Sequence, residues 1–571
     1  MDTEFTAEYE KWLAHTAGNA DLQADLQNIA GDDKQIEERF AVPMSFGTAG
    51  MRGIMRAGIN GMNVCTVAQT TQGLCALMLR ESAAKNCAVA IAYDSRNNSL
   101  TFSQVAARVL AAAGITAYIF DDIRPTAELS FAIRQLQTEQ PGLGTVAGIN
   151  ITASHNPKEY NGYKVYWSDG AQLPPEHADA VSAAVAGIDI FDGVHLADWE
   201  SACASGLVKR LGEDMDAKYL RAVHATSIRA DLIRSVADRF SIVYTPLHGA
   251  GYKLVPRVLR EAGLEKLICV PSQMVIDGNF PTVKAPNPEF KEVFTDAIAL
   301  AKANGCDLII GTDPDSDRTG TVVRSGADYV TLSGNQMGAL LCDYIISARR
   351  ELGQLPANAC VIKSVVSTTL ADKVCKANNV ALVEVLTGFK FIGEKIKEYE
   401  STHEHEFILG FEESYGYLTG TYARDKDAVN ASLIITEMAA WHMQHGRTLY
   451  DALAELYKKY GFTSESVETK KFPGLEGMDR MNAIMRGLRE TDVKSFGGIA
   501  VSSLTDFIGG VMGFPPSDVL QWKLNDGSTV IVRPSGTEPL IKIYFLLEAK
   551  DEAAAATKRA AMLADVEKIV K

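Results

Sequence analysis

Apolar residues along this chain cluster in short runs that end at polar turns. Val146, Ala147, Ile149 and Ile151 form one such run, which predicts a strand buried on both faces, and Asn156-Pro157 halts regular structure soon after it. Ala88 to Tyr93 reads as another strand, a helical pattern covers Gln69 to Arg80, and a further helix lies near Ser103 to Ala113. Strands alternating with helices predict βαβ units in a mainly parallel sheet. The alternation returns from Ser241 to Pro246 through Asp313, and from Val361 to Ser367 through Glu412. Residues ahead of Phe46 are polar and helix-like, with Tyr9, Trp12 and Leu13 at helical spacing, and predict an extension packed on the first domain. Near the far end Asp479 to Leu488 reads as helix, and two strands flank Arg533. The expected fold class is α/β: three related mixed-sheet α/β domains plus a C-terminal α+β domain around a central cleft. The expected bounds are 1–211, 212–331, 332–462 and 463–571.

Chemistry gathers where the strands end. Thr152-Ala153-Ser154-His155-Asn156-Pro157 puts a serine on a sharp polar turn at the carboxyl end of a sheet, where open α/β folds bind ligands. The strand from Cys306 to Gly311 runs into Thr312-Asp313-Pro314-Asp315-Ser316-Asp317-Arg318. Carboxylates at three alternate positions can converge on one hard cation and leave a coordination place for a phosphate oxygen. A calcium loop is excluded, because Arg318 and Arg324 stand where an EF-hand needs Gly and Glu. Mg²⁺ is the expected metal, with Arg318 suited to a phosphoryl group beside it. The strand from Ser528 to Val532 leads into Arg533-Pro534-Ser535-Gly536-Thr537, whose arginine fork, hydroxyls and glycine describe a phosphate cradle.

The net charge of 56 basic minus 71 acidic residues, −15, disfavours a nucleic-acid partner or an anionic membrane surface. Local basic residues must carry any phosphate binding. Nine cysteines lack a CxxC pair, and several, such as Cys65, Cys75 and Cys342, lie in apolar stretches. They read as small buried thiols of a reducing cytoplasm. The N-terminal Met1-Asp2-Thr3-Glu4-Phe5 has no signal-peptide pattern, and no apolar segment is long enough to cross a bilayer. His403-Glu404-His405-Glu406 puts alternate histidines on one face of an expected strand, and with no third ligand in view a surface edge is expected rather than a zinc site. His248 is as readily structural as functional.

The serine, metal and phosphate loops, in this order, resemble the α-D-phosphohexomutase superfamily of phosphoglucomutases and phosphomannomutases. The family's sugar loop is matched by Gly410-Phe411-Glu412-Glu413-Ser414-Tyr415-Gly416, and further matches include Gly47-Thr48-Ala49-Gly50-Met51-Arg52-Gly53, Asn161-Gly162-Tyr163-Lys164, Thr387-Gly388-Phe389-Lys390 and Arg424-Asp425-Lys426-Asp427. The likeness is to the longer phosphoglucomutase and phosphopentomutase branch. Phe411 stands where many relatives have glycine, and the histidine of the bacterial phosphomannomutase loop has no counterpart, which weighs against a mannose-type assignment.

The resemblance implies a phosphoserine at Ser154, Mg²⁺ held by Asp313, Asp315, Asp317 and the Ser154 oxygen, and a general base among His155, Lys164 and Lys426. Arg52 would bind the transferring phosphate. Thr387, Gly388, Glu412, Ser414, Arg318 and Lys426 would contact the sugar phosphate, and Arg533, Ser535, Gly536 and Thr537 its phosphate. The expected reaction converts glucose 1-phosphate to glucose 6-phosphate through glucose 1,6-bisphosphate, in a cytoplasmic monomer or homodimer; pentose or mannose phosphates are the alternative substrates. A haloacid-type phosphotransferase with an aspartyl nucleophile and a non-enzymatic sugar-phosphate sensor are the competing readings.

Overall fold

A computed structural model describes residues 3–47, 50–82, 86–472, 476–511, 513–535 and 539–569. They form two compact units. Unit one comprises residues up to 322 with Gly393–Glu398 and Gly416–Ala440, and unit two the remainder.

In unit one, the first sheet runs in the order Gly50–Ile54, Tyr160–Tyr166, Val146–Ile151, Ala88–Tyr93, Thr116–Phe120 and Val208–Leu211. The two strands expected from their apolar runs have the predicted bounds, and every residue of both is buried. They pair in parallel, Tyr93 beside Ile151. Tyr160–Tyr166 pairs antiparallel to Val146–Ile151 and again to Gly50–Ile54, where Arg52 faces Gly162. The sheet is therefore mixed on the side that carries the serine turn. Helices Val64–Glu81, Ser99–Ala112 and Thr126–Glu139 supply the apolar stripes that bury it. The first two begin earlier than their apolar patterns; Asn63 caps one through the amides of Cys65 and Thr66, a polar boundary that hydrophobic periodicity cannot register.

The N-terminal residues form three helices, Thr3–His15, Ala20–Asn28 and Asp33–Phe40. Trp12, Leu26 and Phe40 pack with Ala57 and Ile190 of the first domain, so the extension is docked by its own apolar core. The second sheet centres on Ser241–Thr245, flanked in parallel by Lys266–Cys269 and Leu308–Thr312.

In unit two, Ala359–Ser364 lies between the parallel strands Ala381–Val385 and Glu406–Glu412. The C-terminal sheet is antiparallel, with Thr529–Pro534 between Leu520–Leu524 and Leu540–Ala549, and helices Gly477–Glu490 and Glu552–Ile569 pack on it. Val365, Val366 and Leu386 share one apolar cluster with Phe507, Ile531, Tyr544 and Leu546, which joins the third-domain part of unit two to the fourth domain. Three α/β domains and a C-terminal α+β domain are as expected. The histidine pair is a correction: His403 caps the helix Phe389–Thr402 at φ 56°, and the strand starts only at Glu406. A helix cap and the residue two places on do not share a strand face. Cysteines also depart from expectation, since Cys203 is exposed and Cys65 and Cys269 are half-buried.

Candidate active site

The serine loop is built from a buried strand, a tight turn and a network of hydrogen bonds beneath it. Ser154 takes φ 51°, a left-handed conformation that costs a non-glycine residue about 1–2 kcal/mol. Two contacts hold it there. The Ser154 amide donates to Thr152 Oγ1 at 2.8 Å, and that hydroxyl donates to Asp94 Oδ2 at 2.6 Å. Arg96 donates to the carbonyls of Ser154 and Asn156, each at 2.5 Å, and of Pro157 and Tyr160 at 2.8 and 3.0 Å. Neither Asp94 nor Arg96 was among the expected site residues. The available signal was their position directly after the buried strand Ala88–Tyr93.

Ser154 Oγ donates to Asp313 Oδ2 at 2.7 Å and lies 3.1 Å from His155 Nδ1. Asp313 opens a second tight turn, in which Ser316 is left-handed at φ 52°. The amides of Asp317 and Arg318 donate back to Asp313 Oδ1 at 3.1 and 3.0 Å. Asp313, Asp315 and Asp317 each offer one oxygen within 4.8 Å of the others, and all three are buried. Asp315 Oδ1 and Asp317 Oδ1 have no hydrogen-bond partner. Buried orphan oxygens are costly, and a divalent cation would satisfy both. The residues fit a metal.

Two lysines reach the same trio. Lys164 Nζ lies 2.9 Å from Asp315 Oδ2, and Lys426 Nζ 2.9 Å from Asp317 Oδ2. Lys426 comes from Gly416–Ala440, the segment of the third domain that packs in unit one. Burial, then the charges of Asp315 and Asp317, push Asp313 well above the usual carboxylate range. Burial would raise Asp315 too, but Lys164 and Lys426 hold it below the usual range. For Lys164 burial favours the neutral amine, yet Asp315 and Asp317 prevail and raise its pKa. Burial, then Arg318 and Arg52, push His155 well below the usual imidazole value. Arg52 donates to Asn156 Oδ1 at 3.2 Å, and Arg318 is engaged by Glu289 at 2.5 Å.

In unit two, Glu412 ends its strand, is 4% exposed, and accepts the Gly388 amide at 2.7 Å. Gly388 has φ 123°, open to glycine alone, and joins Thr387 to the helix Phe389–Thr402. Ser414 lies in the turn after Glu412, where Tyr415 is left-handed at φ 67°. Phe411 points the other way: a Cβ on Gly338, in the helix Gly334–Glu351, would sit 2.4 Å from its ring. The ring fills space beneath the loop. Glu413 Oε2 accepts from Ser364 Oγ at 3.0 Å. Arg533 stands at the end of Thr529–Pro534, paired with Lys542, and the Ser535 amide donates to Leu540 O at 2.8 Å. Gly536 and Thr537 lie outside the described residues, as do Thr48 and Ala49 of the first matched segment.

No helix among the described residues is long and apolar enough to cross a membrane. Profiles described as phosphoglucomutase/phosphomannomutase alpha/beta/alpha domains I, II and III match residues 43–190, 217–326 and 333–460, and the C-terminal domain matches 481–566. A phosphoglucomutase of Staphylococcus aureus (strain MRSA252) is 34% identical over 570 residues, 98% of this chain and 99% of that protein. Two solved structures share the fold. The phosphoglucomutase pp63/parafusin of Paramecium, in its open form, has a TM-score of 0.69 at 18% identity over 93% of this chain and 95% of that one. A phosphoglucomutase/phosphomannomutase family protein of Burkholderia thailandensis has a TM-score of 0.67 at 18% identity over 92% of this chain and 97% of that one. The chain thus belongs to the phosphoglucomutase/phosphomannomutase family within the α-D-phosphohexomutase superfamily, and it is a phosphohexomutase, an intramolecular phosphotransferase of the isomerase class.

Proposed function

We propose that the protein interconverts glucose 1-phosphate and glucose 6-phosphate, with Ser154 as phosphoryl carrier and glucose 1,6-bisphosphate as the intermediate. The carrying observation is Ser154 Oγ at 2.7 Å from Asp313, in a trio of buried carboxylates two of whose oxygens accept no hydrogen bond. Asp313, Asp315, Asp317 and the Ser154 oxygen would hold Mg²⁺, which when bound neutralises charge on the phosphoryl group.

The remaining steps belong to the chain's own residues. A sugar hydroxyl attacks the phosphorus of phosphoserine 154, the phosphorus–Oγ bond breaks, the hydroxyl's proton ends on the released Oγ, and the bisphosphate forms. Its other phosphate then returns to Ser154. His155, 3.1 Å from Oγ, takes the Oγ proton as Ser154 attacks the bisphosphate. Lys164, 2.9 Å from Asp315, supplies positive charge beside the carboxylates. Arg52 and Arg318 face the same transfer. Glu412 and Ser414, two positions apart, bracket the 3- and 4-hydroxyls in both orientations of the hexose, with Thr387, Gly388 and Lys426 as further contacts. Arg533, Ser535, Gly536 and Thr537 hold the phosphate that is not being transferred.

Turnover of glucose, mannose and ribose 1-phosphates under one condition tests the assignment. Glucose 1-phosphate is expected to give the highest kcat/KM, and a higher value for either of the others overturns it.

A further inference from the structure

Arg96 and His248 are buried, polar and unused by the reaction as described. Arg96 is 3% exposed and holds four backbone carbonyls of the serine loop at once. Only a planar fork of several N–H donors can do this; an ammonium group has the charge without the geometry. Its Nε lies 3.3 Å from Asp94 Oδ2, the same oxygen that accepts from Thr152. The guanidinium touches no reacting atom.

A ring of the second domain meets that fork. Phe280 places its ring 5.1 Å from the Arg96 guanidinium carbon, within reach of cation–π attraction. Phe280 is itself left-handed at φ 48° and 1% exposed, so its loop is held against its own preference. His248 holds it: Nδ1 donates to Val275 O at 2.8 Å, and Nε2 accepts from Thr282 Oγ1 at 2.9 Å. Those bonds clamp both ends of the segment that carries Phe280 and leave neither ring nitrogen for proton transfer. Between the clamps, Gly278 comes so near the first domain that a Cβ would meet Asn97 N at 2.4 Å.

We propose that Arg96 is a positioning residue for the phosphoryl-carrying turn, and that the 275–282 loop, pinned by His248, fixes its orientation through Phe280. This rests on Ser154 being the phosphoryl carrier. Misplacing a nucleophile by a fraction of an ångström slows transfer without weakening substrate binding, so the loss belongs in kcat.

The test uses Arg96→Lys, Phe280→Leu and His248→Gln in the full chain. Each is loaded with glucose 1,6-bisphosphate, then assayed for steady-state turnover, thermal midpoint and, by rapid quench, phosphoryl transfer from Ser154 to glucose 1-phosphate. Arg96→Lys is expected to lower kcat and the transfer rate by about a hundredfold, and the other two by about three- to tenfold, with KM within about twofold. Unchanged transfer rates in folded Arg96→Lys, or in Phe280→Leu and His248→Gln if Arg96→Lys fails to fold, overturn the proposal. So does a loss that appears wholly in KM. A parent protein whose Ser154 peptide takes up no phosphate overturns the carrier reading itself, a distinct outcome.

Discussion

Ser154 Oγ and Asp313 Oδ2, 159 positions apart in the chain, share a hydrogen bond of 2.7 Å. The bond joins the carboxyl ends of strands from two different sheets, and it makes the serine part of the carboxylate cluster.

Purified protein is therefore expected to carry phosphate on the peptide containing Ser154, and Ser154→Ala to lose turnover while keeping its thermal midpoint. Mass spectrometry that found the phosphate on Asp313 instead, with Ser154→Ala active, would reinstate an aspartyl nucleophile.

Asp315→Ala removes one of three expected ligands and strips Lys164 of its 2.9 Å partner. Added Mg²⁺ raises the thermal midpoint of any protein whose folded state binds it. That rise is expected in the parent and absent in Asp315→Ala, alongside loss of Mg²⁺-dependent turnover. Equal rises in both proteins would remove Asp315 from the metal site.

Glu412→Ala deletes a buried carboxylate that already accepts the Gly388 amide, leaving that donor and the sugar hydroxyls short of a partner. At about 1–3 kcal/mol for each lost buried hydrogen bond, kcat/KM for glucose 1-phosphate is expected to fall roughly tenfold to a hundredfold or more. A change below about twofold would exclude Glu412 from sugar binding.

Burial first, and the adjacent Glu412 carboxylate second, push Glu413 up to about 7. An acid whose pKa rises on folding holds its proton more tightly in the folded chain, so this stability is whole below the ordinary value of 4.5 and lost as pH rises through about 7. Glu413→Gln has no such proton to lose. Urea midpoints of the two proteins, measured from about pH 5 to about pH 8, are expected to separate in favour of the variant as pH rises. A constant gap across that range contradicts the assignment.

Legibility in the sequence followed burial. Ala88–Tyr93 was readable to the residue because a strand buried on both faces is an unbroken apolar run, and Val146, Ala147, Ile149 and Ile151 kept the next strand readable across Gly148 and Asn150. Tyr160–Tyr166 was not read as a strand, since its Asn161, Gly162 and Lys164 break any such run. Asp313, Asp315 and Asp317 were legible because one turn holds them all. The approach of Lys164 and Lys426 to that turn follows from tertiary packing, which spacing along the chain does not encode. His403 and His405 misled because a period of two was read across a helix end. Arg96 escaped notice because its partners are backbone carbonyls, which carry no residue signature.

The ring of Phe411 over Gly338 has a consequence for substitution. Glycine at 411 alone would leave a void under the sugar loop, a defect of about 3–5 kcal/mol for a buried phenylalanine, and any side chain at 338 alone would collide with the ring. The two positions can change only in concert, the helix refilling what the strand gives up. The residue just ahead of Glu412 is thus tied to the packing of the helix beneath the sugar loop.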